Sequence, residues 1–239
     1  MSDRFSFRLA AALVFAGQLL YILAGVFHPG QVPANSHPAV FEEYANSAYW
    51  GAVHMGQFAG IAISLAGLIV LALTLASGTD ALGWVGRFAA TSAVVTIALT
   101  AVLQAVDGVA LKEASNAWLA APAAEQPARL AATEAVRWLE WAVRSYERTM
   151  FGVTLLLLAS QIVVSARVPR ALGFVMAVSG IAYIAQGIVV GAEGFSSNNT
   201  IPGLAALVLD LAWMIWLVVV ASQKPNVVRP VATAPAAAS

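Results

Sequence analysis

Six charged side chains crowd one fifteen-residue window, "EAVRWLEWAVRSYER" from 134 to 148: Glu134, Arg137, Glu140, Arg144, Glu147 and Arg148. In a helix, at 100° per residue, all six fall within an arc of roughly 140°. Trp141 lies inside that arc, Trp138 at its edge, and Tyr146 points away. Glu140 precedes Arg144 by four, while Glu134 with Arg137 and Arg144 with Glu147 stand three apart, the spacings at which helical ion pairs form. Carboxylates beside arginines suit proton transfer, opening of a strained ring, or recognition of a polar head. The carboxylate moves the proton and the guanidinium holds developing negative charge. The next residues, 149–166, carry no charge at all.

Two more carboxylates stand out. Asp107, in "LQAVDGVALKEA" with Gln104 one turn earlier, is a general-base candidate. Asp210, in "GLAALVLDLAWMIWLVVV", has no charge nearby in sequence, and a carboxylate in such a run costs several kcal/mol unless paired, hydrogen-bonded or protonated. Gln18 or Gln186 would be its hydrogen-bond partner, or Arg144 or Arg148 its counter-ion. Of three histidines, His28, His37 and His54, the last could share proton work, since imidazole titrates near neutrality. His28 and His54 could also ligate a haem axially, or join Glu42 and Glu43 around a metal. No histidine pair has i, i+4 spacing, so the expected metal set is none, and the expected cofactor none. The chain has no cysteine, which removes disulfides, iron–sulfur sites and thiol catalysis. It also has no GxSxG, P-loop or GxGxxG motif.

These residues must be positioned by membrane helices. The 239 residues are 60% hydrophobic and 10% charged, against about a quarter charged in soluble domains. Uncharged runs at 9–27, 44–79, 88–106, 149–166, 171–192 and 194–223, the last broken only by Asp210, match the roughly 20 apolar residues a helix needs to cross a bilayer. The expectation is all-α: a six-transmembrane-helix bundle with a long, charged fourth helix. The spans are 7–27, 50–76, 84–110, a helix from near Pro127 to about Ala166 that includes the fourth, 171–192 and 202–222. A short helix is expected from Pro38 to about Asn46. "KEASNAWLAAPAAEQPA" reads as a polar link. Residues 1–223 form one integral membrane domain, and the small-residue, proline-bearing segment 224–239 a disordered cytoplasmic tail. In span 2, Gly56 and Gly60 in "GQFAG" have the spacing of close helix packing. Arg4, Arg8, Arg87, Arg167, Arg170, Lys224 and Arg229 fall on one side, which places both termini in the cytoplasm. Net charge is zero with no basic cluster, so nucleic acid is not a partner.

Counting about 20 residues outward from each cytoplasmic end brings Asp107, Arg148, Glu193, His54 and Gln57 to one outer layer, where His28 also lies. The charged stripe then forms one wall of an outward-opening polar vestibule. The plainer alternative is a solvated helix projecting from the membrane. On the vestibule reading the protein is a multi-pass enzyme of a bacterial inner membrane. It acts on a lipophilic small molecule by acid–base isomerisation, cyclisation or hydrolysis. Asp107, Glu140, Arg144, Glu147 and Asp210 are its catalytic candidates. His54, Gln57, Gln104, Arg137, Trp141, Arg148, Gln186 and Glu193 are its substrate-binding candidates. The partners are the lipid bilayer and that small molecule. A proton-coupled transporter or ligand-binding protein is the alternative, with six spans few for a carrier unless it forms a homo-oligomer. A haem-bearing redox subunit on His28 and His54 is the third.

With its Ala-rich spans, and "AVRWLEW" followed later by "GAEGFSS", the chain resembles uncharacterised polytopic membrane proteins of actinobacterial type. That resemblance implies a multi-pass membrane protein and supplies no catalytic residues.

Overall fold

A computed structural model describes residues 3–76, 79–165 and 167–223; the expected disordered tail, 224–239, lies outside the described residues. The elements in chain order are α1 (Asp3–Gly25), α2 (His37–Asn46), α3 (Trp50–Leu75) and α4 (Ala81–Ala105). A π-helical segment (Val106–Leu111) leads into α5 (Lys112–Leu119), followed by α6 (Gln126–Ser165), α7 (Arg170–Glu193), a 3-10 turn (Ser197–Asn199) and α8 (Thr200–Ser222). Among the described residues there is no strand, and six helices are long and apolar enough to span a membrane.

Each long helix packs on the next in sequence, and α8 returns to α1, so α1, α3, α4, α6, α7 and α8 close a six-membered ring. Two neighbouring pairs in that ring touch backbone to backbone. A Cβ on Gly60 would lie 2.6 Å from the Tyr21 main-chain nitrogen, and one on Gly67 would lie 2.7 Å from that of Val14, which welds α3 to α1. A Cβ on Gly152 would lie 2.5 Å from the Gly180 carbonyl, and one on Gly187 would lie 2.7 Å from that of Ser145, which welds α6 to α7. Small residues are what allow such an approach between membrane helices.

One end of the ring is dry and capped by arginine. Arg8 donates to the Ala221 carbonyl at 3.1 Å, Arg167 to Thr74 at 2.8 Å and Arg170 to Val163 at 3.1 Å. These carbonyls lie in the last turns of α8, α3 and α6, where helical partners run out and cations suit the negative helix end. Leu68, Leu71, Leu75, Leu158, Ile162, Met176 and Leu217 fill this half.

The expected polar link after span 3 is a helix instead. α4 runs through the π segment into α5 and stops at Leu119, shortly before Pro122. Leu111 and Ser115 are buried, and Thr133 of α6 donates to the Ala114 carbonyl at 3.1 Å. The polar residues between them therefore mark the outer face of a helix rather than a loop. α5 and the first turns of α6 rise together, and α2 packs on α5. Val40, Phe41, Tyr44, Trp50 and Leu111 form a small apolar core beneath.

Gly60→Ala should cost roughly 1–3 kcal/mol by overpacking, read as a lower unfolding midpoint in detergent. Gly51→Ala on the same helix meets no atom within 4 Å and should leave the midpoint unchanged or slightly raised.

Candidate functional site

The charged stripe of α6 is interior. Arg137 is 2% exposed, Glu140 0% and Glu147 2%, so the solvated-helix alternative does not hold. α5 packs on the upper half of α6. There α2 and the segment before it meet the stripe through His37–Glu134, Tyr44–Arg137 and Ala34–Arg137 contacts. α3, α4 and α7 pack on α6 lower down.

The charges form a ladder. Arg137 donates to Glu140 at 2.9 Å, Arg144 donates to the other oxygen of Glu140 at 2.6 Å, and Arg144 reaches across to Asp107 at 2.9 Å. Asp107 sits in the π-helical turn, a wide turn often found at functional sites. Its main-chain carbonyl accepts the Trp50 indole at 3.0 Å. His54, one turn along α3, gives Nδ1 to the Trp50 carbonyl at 2.8 Å and sets Nε2 3.3 Å from Asp107 Oδ2. Gly108 makes room for it, since a Cβ there would lie 2.7 Å from the His54 Cβ.

The segment between α1 and α2 crosses this cluster as a strap. Asn35 donates to the Glu193 carbonyl at 3.0 Å and accepts the Phe195 amide at 3.0 Å. Arg137 donates to the Ala34 carbonyl at 3.2 Å and to the Tyr44 hydroxyl at 3.3 Å. Lys112 donates to the carbonyls of Tyr44, Ala45 and Ser47 at 2.7, 2.8 and 2.9 Å, pinning the end of α2. Burial, supplemented by the negative charges of Asp107 and Glu140, pushes the Tyr44 hydroxyl up to about 12, so it stays protonated. His28, at the foot of the strap, hydrogen-bonds the Pro29 carbonyl at 2.6 Å and lies 5.3 Å from the His54 ring, centroid to centroid. Burial, with His54 and Arg144 nearby, pulls its pKa below the usual imidazole range.

Beneath the strap lies a cavity of about 300 Å³, lined by His28, Gln57, Gln104, Asp107, Arg137, Glu140, Arg144, Glu147 and Arg148 among others. Several of its polar atoms are buried without a hydrogen-bond partner: Gln104 Oε1, Asp107 Oδ1, Glu147 Oε2, and Nε of both Arg137 and Arg148. Buried polar groups are normally satisfied; here they surround a space that a polar molecule would fill. Among the described residues, no three His, Asp or Glu side chains converge as metal ligands would.

A second cavity, of about 270 Å³, adjoins the first and shares Tyr21, Ile61, Glu147 and Arg148 with it. Asp210 belongs here. It accepts Ser179 at 2.7 Å, Tyr183 at 2.6 Å and Trp213 at 2.8 Å. Neither Gln18 nor Gln186 bonds to it, and neither Arg144 nor Arg148 pairs with it. Arg148 instead lies over the Tyr183 ring at 5.4 Å.

Of the residues singled out from sequence, the first cavity gathers Gln57, Gln104, Asp107, Arg137, Glu140, Arg144, Glu147 and Arg148, with His54 behind Asp107. Gln186 and Asp210 line the second. Besides His54, two of the expected binding residues line neither cavity. Glu193 is exposed at the rim, where Ser196 and Asn198 donate to it, because α7 ends there. Trp141 packs on Gly194 and His37 instead of facing either cavity. Two pairings also differ. Glu134 meets His37 at 3.1 Å rather than Arg137, and Glu147 meets Arg148 at 3.4 Å rather than Arg144. Sequence reasoning missed Tyr44, Trp50, Tyr183 and Phe195. Ser179, Tyr183 and Gln186 did carry a signal, as polar positions at i, i+4 and i+7 of an apolar span.

The chain belongs to the family described as Domain of unknown function (DUF4386), whose model matches residues 9–221. Nothing among the curated proteins or the solved structures matches it.

Because His28 is held neutral, its contribution to stability is fully present above about pH 6.5, the unfolded imidazole value, and is lost as pH falls from there toward the lowered folded value. The unfolding midpoint of the wild type should therefore drop further between about pH 7.5 and about pH 5.5 than that of His28→Gln. Thermal melts of both proteins at the two pH values check this.

Proposed function

We propose that this chain is an integral membrane enzyme that acts on a lipophilic small molecule by proton transfer in the cavity beneath the strap. The observation that carries the reading is a charge count. Four buried carboxylates, Asp107, Glu140, Glu147 and Asp210, face three guanidiniums, Arg137, Arg144 and Arg148. A buried set in a low-dielectric interior costs least near neutrality. One further positive charge, a proton, balances it. His54 has a backbone acceptor at Nδ1 and a carboxylate at Nε2, so the His54–Asp107 pair is a natural place for that proton. Asp107 then gives or takes it at the substrate, His54 shares it, and Arg144 stabilises negative charge that develops alongside. Isomerisation, cyclisation and hydrolysis all draw on these parts.

The same layout supports a location. Arg4, Arg8, Arg87, Arg167 and Arg170 are at the dry end, which suits the inner face of a bacterial cytoplasmic membrane with both termini inside. The site then opens at outer-leaflet depth. A proton-coupled transporter would use the same charges, yet it needs a polar route onward. Among the described residues, the arginine-capped half is mainly packed leucines, with Thr96, Ser92, Thr154 and Gln161 as a narrow, hydrogen-bonded polar file between α4 and α6. The His28 and His54 rings, 5.3 Å apart and tilted by 54°, leave no room for a macrocycle between them, so a bis-histidine haem does not fit there.

The test is an untargeted one. Purified protein is incubated in deuterated water with a lipid extract of its host membrane, and the extract is examined by mass spectrometry. The wild type should convert or deuterate a discrete lipophilic species, and Asp107→Asn should do so at least 100-fold more slowly, the low end for loss of a general base. Equal turnover by Asp107→Asn would refute the assignment. So would unchanged lipids together with proton-dependent uptake into vesicles, which would favour the transport reading.

A further inference from the structure

The second cavity does not resemble the first. Its charged lining is Glu147, Arg148 and Asp210, two carboxylates against one guanidinium, while Asp107, His54 and Arg144 do not line it. Asp210 Oδ1 is saturated by Ser179 and Trp213, but Oδ2 accepts only Tyr183, and a carboxylate oxygen has two lone pairs. Glu147 is 2% exposed, and its Oε2 makes no hydrogen bond. Arg148 Nε is 3.4 Å from it. Gln186 contributes another buried oxygen without a donor. The negative charge exceeds the positive.

The walls between these groups are aromatic: Tyr21, Phe151 and Tyr183, the last two in edge-to-face contact at 4.7 Å. A ring face attracts a cation, more strongly where water is excluded, and Tyr183 already has one cation, Arg148, over it.

From this combination we infer that the second cavity is a binding site for a quaternary ammonium group. Such a group supplies the missing positive charge between the Glu147 and Asp210 carboxylates and lies against aromatic faces. An anion would meet two carboxylates and one arginine. A hard metal cation prefers about six oxygen ligands, more than these groups provide. A neutral apolar molecule would leave the excess charge uncompensated. The inference rests in one respect on the acid–base reading, since Glu147, Arg148 and Asp210 belong to the charge count behind both. An ammonium here takes the place of the balancing proton, while Asp107 and His54 themselves do not line this space.

The test is equilibrium binding of radiolabelled choline to the full-length protein in maltoside micelles, with its neutral carbon isostere dimethylbutanol as competitor. Saturable binding of one choline per chain is expected, with the neutral isostere at least about ten-fold weaker, since loss of the ligand charge forfeits on the order of 1.4 kcal/mol. Glu147→Gln should weaken choline by a similar factor, and Gly51→Ala, which lies outside both cavities and the charged set, should leave it within about two-fold. Equal competition by the neutral isostere would overturn the inference, and so would absence of saturable choline binding to folded wild type. The wild-type comparison needs no variant, so it decides the matter even where Glu147→Gln fails to fold. Lipid turnover without choline binding would sink this site while leaving the first cavity's assignment intact.

Discussion

The structure turns on the ion ladder Arg137–Glu140–Arg144–Asp107. Charges withdrawn from water lose several kcal/mol of hydration apiece, and only close, multiple partnering offsets that loss. The ladder provides contacts of 2.6 to 2.9 Å at each rung. Its last rung is tertiary, since Asp107 and Arg144 lie on different helices. That rung fixes the register of α6 against α4. It also accounts for the strap, whose Ala34 carbonyl, together with the Tyr44 hydroxyl of α2, accepts from a second guanidinium nitrogen of Arg137. A strand of loop and a short helix thus become part of the interior because an arginine beneath them needs acceptors.

The spaces follow from where backbones approach. Glycines let α1 lie on α3 and α6 on α7 at backbone contact. α8 bridges the two pairs, and its hydrogen bonds to α1 are at the arginine-capped end, through Arg4 and Arg8 to the Gln223 and Ala221 carbonyls. The second cavity is lined by both helices in their other half, at Gln18, Tyr21, Gly203 and Leu207. The two halves of the bundle therefore divide the work. One half is packed mainly with leucines and capped by arginines, and the other encloses the polar chambers.

Much of this was legible in the sequence. Run lengths set the six spans to within a few residues, and the 3.6-residue period put the six charges on one face. Depth counting placed Asp107, His54 and Arg148 in one layer. What the sequence hid was tertiary. A solvated stripe and a buried one have the same period, and only the covering by α2 and α5 distinguishes them. "KEASNAWL" reads as a link because half its residues are polar, yet Leu111, Ser115 and Trp118, at spacings of four and three, lie along the helix face that packs inward. The π turn at Asp107 has no composition signal. Asp210 was visible as an anomaly, but its partners Ser179 and Tyr183 come from another span, and no local spacing pairs them. Glu193 lines neither cavity, because depth counting gives height along the membrane normal and not direction around the helix.

The central claim is that the charges of α6 are held inside the bundle by a partner on another helix. A double-mutant cycle between Asp107 and Arg144, using Asp107→Asn and Arg144→Gln with unfolding free energy in detergent as the readout, tests it most directly. A buried tertiary pair predicts single-variant losses of roughly 3–5 kcal/mol and a coupling of about 0.5–3 kcal/mol. Single losses below about 1 kcal/mol with no coupling would mean that the stripe is solvated, and the chamber beneath the strap would have no charged wall.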